Sequence, residues 1–160
     1  MIDDFKIENK EKFSKEDLNV FKKIVTDANE VGESTFDGLM GKNPLLLICK
    51  EKGLIIGTGA LKIPNERYKN TIFNKSKTDF QSSDFTYELG WIVSKNEGKG
   101  IGRKMTEALA NYKASLYATV RKNNLRMRNI LEGVGFTFTG ESYDSDRGDY
   151  KICLYVKINL

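Results

Sequence analysis

The chain contains no histidine, and this absence excludes more chemistry than any residue that is present. Catalytic triads with a histidine base, cysteine–histidine pairs and zinc sites with histidine ligands are all excluded. The two cysteines, Cys49 and Cys153, lie far apart in the sequence and are too few for a four-cysteine zinc site or a disulfide scaffold. Each is surrounded by apolar, strand-like residues, which predicts two buried, reduced thiols. The chemistry must therefore come from carboxylates, tyrosine, serine, lysine or backbone groups.

Proline and long apolar runs are also scarce. Two prolines in 160 residues argue against a disordered or low-complexity protein. The longest purely apolar runs are about five residues, whereas a membrane span needs ~20. The N-terminus is charged at once and does not resemble a signal peptide. We therefore predict a soluble, cytoplasmic protein with no membrane partner, folded as a single domain over residues 1–160.

Charge is unevenly distributed along the chain. The net charge of +4 is too small to indicate nucleic-acid binding by itself. Residues 95–128, however, hold nine Lys or Arg and two Glu, and residues 129–149 hold five acids and one Arg. The basic stretch leaves a nucleic-acid partner open, and the acidic run 144–149 would suit a cationic ligand. Solvated helix faces and a solvated turn explain the same charges equally simply.

The pattern of apolar residues predicts the order β-α-β-β-β-α-β-α-β-β. Ser14, with Asp17 three residues later, indicates the start of the first helix. The short polar gap at residues 51–53 indicates a hairpin. Residues 32–43 are expected to form a loop with at most one helical turn, and residues 64–84 a long functional or mobile connection. A strand–helix–strand crossover requires parallel pairing and the hairpins require antiparallel pairing, so the class is α/β (α+β), with a mixed sheet of about seven strands flanked by helices.

A glycine-rich loop follows the strand over residues 85–93. It reads Gly98, Lys99, Gly100, Ile101, Gly102, Arg103 and opens a predicted helix. Glycines let backbone N–H groups approach a ligand closely, at the positive end of the helix dipole, and such loops bind phosphates. The P-loop pattern is not present in the sequence, and the dinucleotide-binding pattern has different spacing.

Two segments together resemble a known family. Residues 88–109 resemble motif A of the GNAT superfamily of N-acetyltransferases, and residues 119–136 resemble its motif B. Asn124 lies eleven residues before Gly135, the usual separation in that family. The resemblance covers residues 44–158 and implies the GNAT fold, with acetyl-CoA as co-substrate, an amine as acceptor and no metal.

The same resemblance implies which groups bind acetyl-CoA. The strand before the loop carries a bulge in this family, and the backbone amides of Ile92 and Val93 would hold the pantetheine and polarise the thioester carbonyl. The amides of the loop residues just named would bind the pyrophosphate, to which Lys99 and Arg103 add positive charge. Asn124 would hydrogen-bond the pantetheine arm.

Direct transfer also needs a base, because an ammonium has no lone pair with which to attack. The family often places a glutamate at the position of Glu88, which makes Glu88 the candidate base. The tyrosine that many members use as general acid aligns with Leu131 here, so we expect Tyr117, or else Ser115 or Tyr143, to protonate the leaving thiolate.

Two further departures concern the loop. Glu97 replaces the usual Arg or Gln, and the interval before Gly98 is one residue shorter than the common form. Two alternatives stay open: the missing tyrosine favours a catalytically silent CoA-binding or regulatory module, and the basic stretch favours a nucleic-acid-directed protein on the same fold. The edge of the sheet at the last strand also permits a homodimer.

Overall fold

A computed structural model of the protein describes residues 2–95 and 98–159. Within these ranges the chain forms seven strands, five α-helices and two short 3-10 turns. The elements are β1 Asp4–Asn9, α1 Lys15–Asp27, α2 Glu33–Met40, β2 Leu45–Glu51, β3 Leu54–Lys62, α3 Glu66–Ser76, β4 Tyr87–Ser94, α4 Ile101–Ala110, β5 Leu116–Arg121, α5 Leu125–Gly133, β6 Thr137–Asp144 and β7 Lys151–Lys157, with 3-10 turns at Lys10–Lys12 and Ser82–Asp84.

The strands form one mixed sheet in the order β1-β2-β3-β4-β5-β7-β6. β4 and β5 pair in parallel, with Tyr87 opposite Leu116 and Glu88 opposite Tyr117. The β1–β2, β2–β3, β5–β7 and β6–β7 pairs are antiparallel. The predicted mixed seven-stranded sheet with flanking helices is confirmed. No helix of the described ranges is both long and apolar enough to cross a bilayer.

The chain divides into two compact units, and β4 contributes residues to both. The first unit consists of Met1–Ile63 and Leu89–Leu109. Ser14 caps α1 by accepting a hydrogen bond from the Asp17 N–H at 3.1 Å, as the sequence predicted. A single domain over residues 1–160 stays a prediction. The core of the first unit is built from Phe21, Ile24, Val25, Val31, Phe36, Leu46, Ile48, Ile55, Ala60 and Trp91.

The hairpin between β2 and β3 closes through a two-residue turn. Glu51 pairs with Leu54, and the residues between them, Lys52 and Gly53, have φ values of 53° and 75°. Positive φ at both central residues is the pattern of a type I′ turn, whose twist matches that of the flanking strands. The predicted hairpin is therefore confirmed.

The second unit consists of Pro64–Glu88 and Ala110–Leu160. Helix α3 packs against β6 and β7, and α5 packs against β6. Gly135, with φ 104°, follows the end of α5 as predicted for a glycine that ends a helix. The core of this unit is built from Ile72, Phe73, Phe85, Tyr117, Leu154 and Val156.

Two helices lie in segments that the sequence predicts as connections. The composition of residues 32–43 predicts a loop with at most one helical turn and that of residues 64–84 a long connection, but the two segments contain α2 and α3. In α2 the glycines obscured an apolar set at helical spacing, of which Phe36 is buried. In α3 the polar composition obscured Ile72 and Phe73, which the helix buries, and the cap at Asn65, whose side chain accepts from the Arg67 N–H at 2.9 Å. In both segments, the burial of a few apolar side chains stabilises a helix although the average composition is typical of a loop.

Candidate active site

The glycine loop opens α4 with its backbone exposed. Gly98 and Gly100 have φ values of +83° and +73°, and a Cβ at either would meet no atom of the described residues within 4 Å. The Lys104 N–H donates to the Gly100 carbonyl at 3.0 Å, which is the first bond of the helix. The preceding N–H groups, on Ile101 to Arg103, therefore have no intrahelical acceptor. This arrangement suits a phosphate.

Side chains at the loop follow the predicted pattern in part. Lys99 and Arg103 are exposed, whereas Ile101 is buried and anchors the start of α4. Glu97, which departs from the family pattern, lies outside the described residues, as does the adjacent Asn96.

Strand β4 is irregular just before the loop. Trp91 is buried but has φ 57°, a left-handed conformation that is strained for a bulky residue. Its carbonyl accepts a hydrogen bond from the Thr58 hydroxyl at 2.9 Å. This irregularity is typical of a bulge, which re-aims the peptide groups that follow it. Those groups are the amides of Ile92 and Val93, both partly buried.

Glu88 lies at the centre of a tyrosine cluster in the second unit. Glu88 is 4% exposed, and the residue opposite it on β5 is Tyr117. The Tyr68 hydroxyl, on α3, donates to Glu88 Oε2 at 3.4 Å. Tyr143, on β6, is partly buried, and the charge of Glu88 acts on it as well as on the other two phenols. We refer to Glu88, Tyr68, Tyr117 and Tyr143 as the acid–base cluster.

Each phenol in this cluster resists ionisation. The pKa of Tyr117 is raised well above its usual value, first by burial and then by the negative charge of Glu88. The pKa of Tyr68 is raised first by the charge of Glu88 and then by burial, and the pKa of Tyr143 is raised first by burial. All three hydroxyls therefore remain neutral hydrogen-bond donors at neutral pH.

The Tyr117 hydroxyl is both buried and unsatisfied. Tyr117 is 0% exposed, and its oxygen has no hydrogen-bond partner among the described residues. A buried hydroxyl without a partner costs roughly 1–3 kcal/mol. The Tyr117 hydroxyl is therefore a donor that the described residues leave without an acceptor.

The sequence of the chain matches the profile of the acetyltransferase (GNAT) family over residues 7–136. The protein belongs to this family. No curated protein sequence matches the chain. The solved structures with a similar fold include acetyltransferases from several bacteria.

Three of these structural neighbours show the extent of the likeness. The yncA protein of Salmonella typhimurium, solved with its cofactor acetyl-CoA, has a TM-score of 0.67 at 15% identity, covering 97% of this chain and 94% of that one. The ribosomal-protein-S18-alanine N-acetyltransferase of Escherichia coli has a TM-score of 0.66 at 16% identity, covering 98% and 96%. FeeM, an N-acyl amino acid synthase from uncultured soil microbes, has a TM-score of 0.71 at 10% identity, covering 97% and 92%. At these identities the likeness shows the GNAT fold.

Two positions of the second GNAT motif have local structural partners. Asn124 is the N-cap of α5, and its side-chain oxygen accepts from the Met127 N–H at 3.1 Å. The role of Asn124 toward the pantetheine arm stays a prediction. Because its side-chain oxygen accepts the capping bond, its side-chain NH2 group would have to make that contact. Leu131, which stands where many GNAT members carry the acidic tyrosine, is 0% exposed in the core.

Other residues singled out in the sequence are held by neighbours within the second unit. Ser115 accepts from the Asn159 N–H at 3.3 Å. In the acidic run, Asp146 pairs with Lys75 at 2.9 Å and Asp144 pairs with Lys151 at 2.9 Å. These ion pairs favour the interpretation of residues 144–149 as a solvated turn between β6 and β7.

Two arginines of the basic stretch contact tyrosines of their own unit. Arg121 stacks on Tyr150 with its guanidinium carbon 3.8 Å from the ring centroid. Arg128 donates to the Tyr155 hydroxyl at 2.9 Å and to the Lys122 carbonyl at 2.8 Å. Within the described ranges, no group of three or more acidic or cysteine side chains is arranged to hold a metal ion.

Tyr68 is the member of the acid–base cluster that the sequence analysis missed. It lies on α3, in the segment that was expected to be a loop. The signal was present, because Tyr68 precedes Ile72 by four residues and follows a helix-capping Asn65. Recognising α3 would have placed Tyr68 on the same side of the helix as a core residue.

Proposed function

We propose that the protein is an acetyl-CoA-dependent N-acetyltransferase that transfers the acetyl group directly to a primary amine, with Glu88 as general base. The observation that carries this proposal is that one strand, β4, leads from the buried Glu88 carboxylate through the bulge at Trp91 to the glycine loop. The reaction requires a base and a group that binds CoA, and in this proposal β4 supplies the first and the loop that follows it in sequence supplies the second.

Acetyl-CoA fits the first unit through backbone groups. The loop from Gly98 to Arg103 binds the pyrophosphate in this proposal, because its exposed amides lie at the positive end of α4. The amides of Ile92 and Val93 bind the pantetheine and polarise the thioester carbonyl. The Ser94 hydroxyl, which is buried without a hydrogen-bond partner among the described residues, is a further donor close to these amides along the strand.

Glu88 activates the acceptor by accepting a proton from its ammonium group. An amine reaches the site mainly as an ammonium, so one proton must be removed before its lone pair attacks the thioester. The attack forms the C–N bond and breaks the C–S bond, and the nitrogen then loses a second proton. The departing sulfur takes up the proton of Tyr117, the proposed acid, and the second nitrogen proton restores the Tyr117 phenol, so that Tyr117 ends the step neutral.

The neutral state of Tyr117 supports this assignment. A thiol has a pKa of about 8.5, below that of a buried phenol, so Tyr117 gives its proton to the sulfur only as it regains one from the nitrogen, and a free phenolate does not form. Its raised pKa, caused mainly by burial, keeps the donor in place. Tyr143 is the alternative acid within the same cluster.

The experiment that tests the proposal is the substitution Glu88→Gln, assayed by CoA release with a panel of amines. We expect kcat to fall by roughly 10²–10⁴-fold, the usual contribution of a general base. Stabilisation by acetyl-CoA in thermal unfolding should persist, because the loop is unaltered. Glu107→Gln, which removes an exposed carboxylate on α4, is the matched control and should retain activity. Unchanged turnover in Glu88→Gln would remove Glu88 from the mechanism.

The acceptor panel begins with α-amino groups, since two structural neighbours are named for alanine acetylation and for N-acyl amino acid synthesis. The burial of Leu131 at the usual position of the acid favours a second candidate function, a catalytically silent CoA-binding module. Acetyl-CoA binding without CoA release for any amine would support that module over the enzyme.

A further inference from the structure

The reaction just proposed leaves one proton over in every turnover. The nitrogen of an ammonium loses two protons when it becomes an amide, and the sulfur of CoA takes up one of them. The other is first held by Glu88 and must reach solvent before the next turnover. Glu88 is 4% exposed, so its carboxyl group has little direct contact with water.

One phenol of the acid–base cluster belongs to a residue that is about half exposed. The Tyr68 hydroxyl donates to Glu88 Oε2 at 3.4 Å, longer than an ordinary O–H···O hydrogen bond, and Tyr68 is 47% exposed although burial contributes to the raised pKa of its phenol. Tyr117 is 0% exposed and Tyr143 is partly buried, so Tyr68 is the most exposed tyrosine of the cluster. Hydrogen bonds of this kind often tighten when substrate binds.

Helix α3 holds Tyr68 in this position. Its buried face carries Ile72 and Phe73 in the core of the second unit. Lys69, next to Tyr68 and 4% exposed, donates to the Phe85 carbonyl at 2.7 Å, just before β4 begins. This hydrogen bond holds α3 next to the residues that precede β4, the strand that carries Glu88.

We propose that Tyr68 relays the proton from Glu88 to solvent and so restores the base after each turnover. The inference rests on the proposed function. In the relay, the O–H bond of the protonated Glu88 breaks as its proton bonds to the Tyr68 oxygen, and the phenol's own proton passes to water in the same event. Glu88 ends as a carboxylate and Tyr68 as a neutral phenol, so charges and atoms balance. The raised pKa of the Tyr68 phenol, due mainly to the charge of Glu88, requires the two transfers to be concerted, because a phenolate would not accumulate.

The test is Tyr68→Phe, which keeps the ring and removes the hydroxyl. Acetyl transfer is followed in a single turnover with enzyme in excess over acetyl-CoA, and proton release is followed with a pH-indicator dye in weak buffer. We expect a single-turnover rate within about twofold of wild type, with steady-state kcat lowered about tenfold or more. Proton release should lag behind the appearance of the CoA thiol, and imidazole added as a diffusible base should restore kcat.

The matched control is Tyr112→Phe, which removes a phenol of similar exposure, 40%, outside the cluster. It should behave as wild type in both assays. A single-turnover rate that falls as far as kcat would show that Tyr68 only orients Glu88, and it would overturn the relay. A wild-type kcat with no lag in Tyr68→Phe would overturn it as well.

Wild-type measurements keep the inference testable if the variant does not fold. In deuterium oxide, the relay predicts a larger isotope effect on kcat than on the single-turnover rate, and equal effects would contradict it. If the wild-type protein turns over no amine, the proposed function fails and the relay fails with it. If the wild type turns over normally and only the Tyr68 predictions fail, the proposed function stands.

Discussion

Replacing Gly100 with alanine separates the conformational role of the glycine loop from its role in ligand binding. Gly100 has φ +73°, and the added Cβ would meet no atom of the described residues within 4 Å. Gly53, in the β2–β3 turn, has φ +75° and equally open surroundings in the described structure. Gly53→Ala is therefore a control with the same backbone strain at a position remote in sequence from the loop.

The magnitude follows from the backbone. A left-handed conformation costs an L-residue roughly 1–2 kcal/mol, partly offset by about 0.4–1 kcal/mol because alanine restricts the unfolded chain. Each variant should thus be about 1 kcal/mol less stable than wild type and unfold about 2–4 °C lower for a chain of this size. Neither substitution adds a steric clash within the described structure, so the two should be nearly equal without ligand.

The assay is thermal unfolding with and without acetyl-CoA. At ~100 times its dissociation constant a ligand adds about 2.7 kcal/mol, or about 5–10 °C in wild type and in Gly53→Ala. If the loop binds the pyrophosphate as proposed, the added methyl group of Gly100→Ala obstructs the close approach of the phosphates to the backbone, and a hundredfold loss of affinity leaves about 0.4 kcal/mol, or ~1 °C. A full acetyl-CoA shift in Gly100→Ala would refute the assignment of this loop to the pyrophosphate.

Three further outcomes are expected. Gly140→Ala should destabilise the protein by at least about 2 kcal/mol in chemical denaturation, because φ is +68° and the new Cβ would collide with the Ser76 carbonyl; wild-type stability would contradict the close approach. The free energy of unfolding should fall as pH rises above about 10, because unfolded tyrosines ionise there while Tyr117, whose pKa is raised by burial, keeps its proton; Tyr117→Phe should flatten this slope, and an unchanged slope would argue against it. Cys49 and Cys153 are fully buried with raised thiol pKa values, so a thiol reagent at pH 8 should react with them only after unfolding, and rapid labelling of the native protein would be the contrary result.

The mixed sheet could be predicted because it left a local pattern. Strand alternation, the turn at Gly53 and the glycines of the loop are determined by neighbours in sequence, whereas Glu88 was named as candidate base through the family resemblance, and that role stays a prediction. The bulge at Trp91 was expected only through the family resemblance. A tryptophan with positive φ leaves no compositional signal, since its conformation is imposed by packing and by the hydrogen bond from Thr58.

The contribution of α3 could not be predicted from averages. Its mean composition is polar, and the helix exists because a few side chains enter the core while Lys69 is buried through a hydrogen bond to a carbonyl. The contact between Tyr68 and Glu88 therefore depends on tertiary packing and could not be predicted from the local sequence. Charge alone also could not decide whether residues 144–149 bind a cationic ligand or form a solvated turn. The ion pair of Asp146 with Lys75 depends on the position of α3, which the sequence does not reveal.

The turn at Lys52 and Gly53 also bears on the order in which the chain folds. Glu51 and Leu54 are joined by only two residues, so the β2–β3 hairpin closes with little loss of chain entropy, on a timescale of about 1–10 μs. The parallel pairing of Tyr87 with Leu116 must instead wait for the glycine loop and α4 to bring distant residues together. The strand that carries Glu88 should therefore acquire its β5 neighbour late, and substitutions there should accelerate unfolding more than they slow folding.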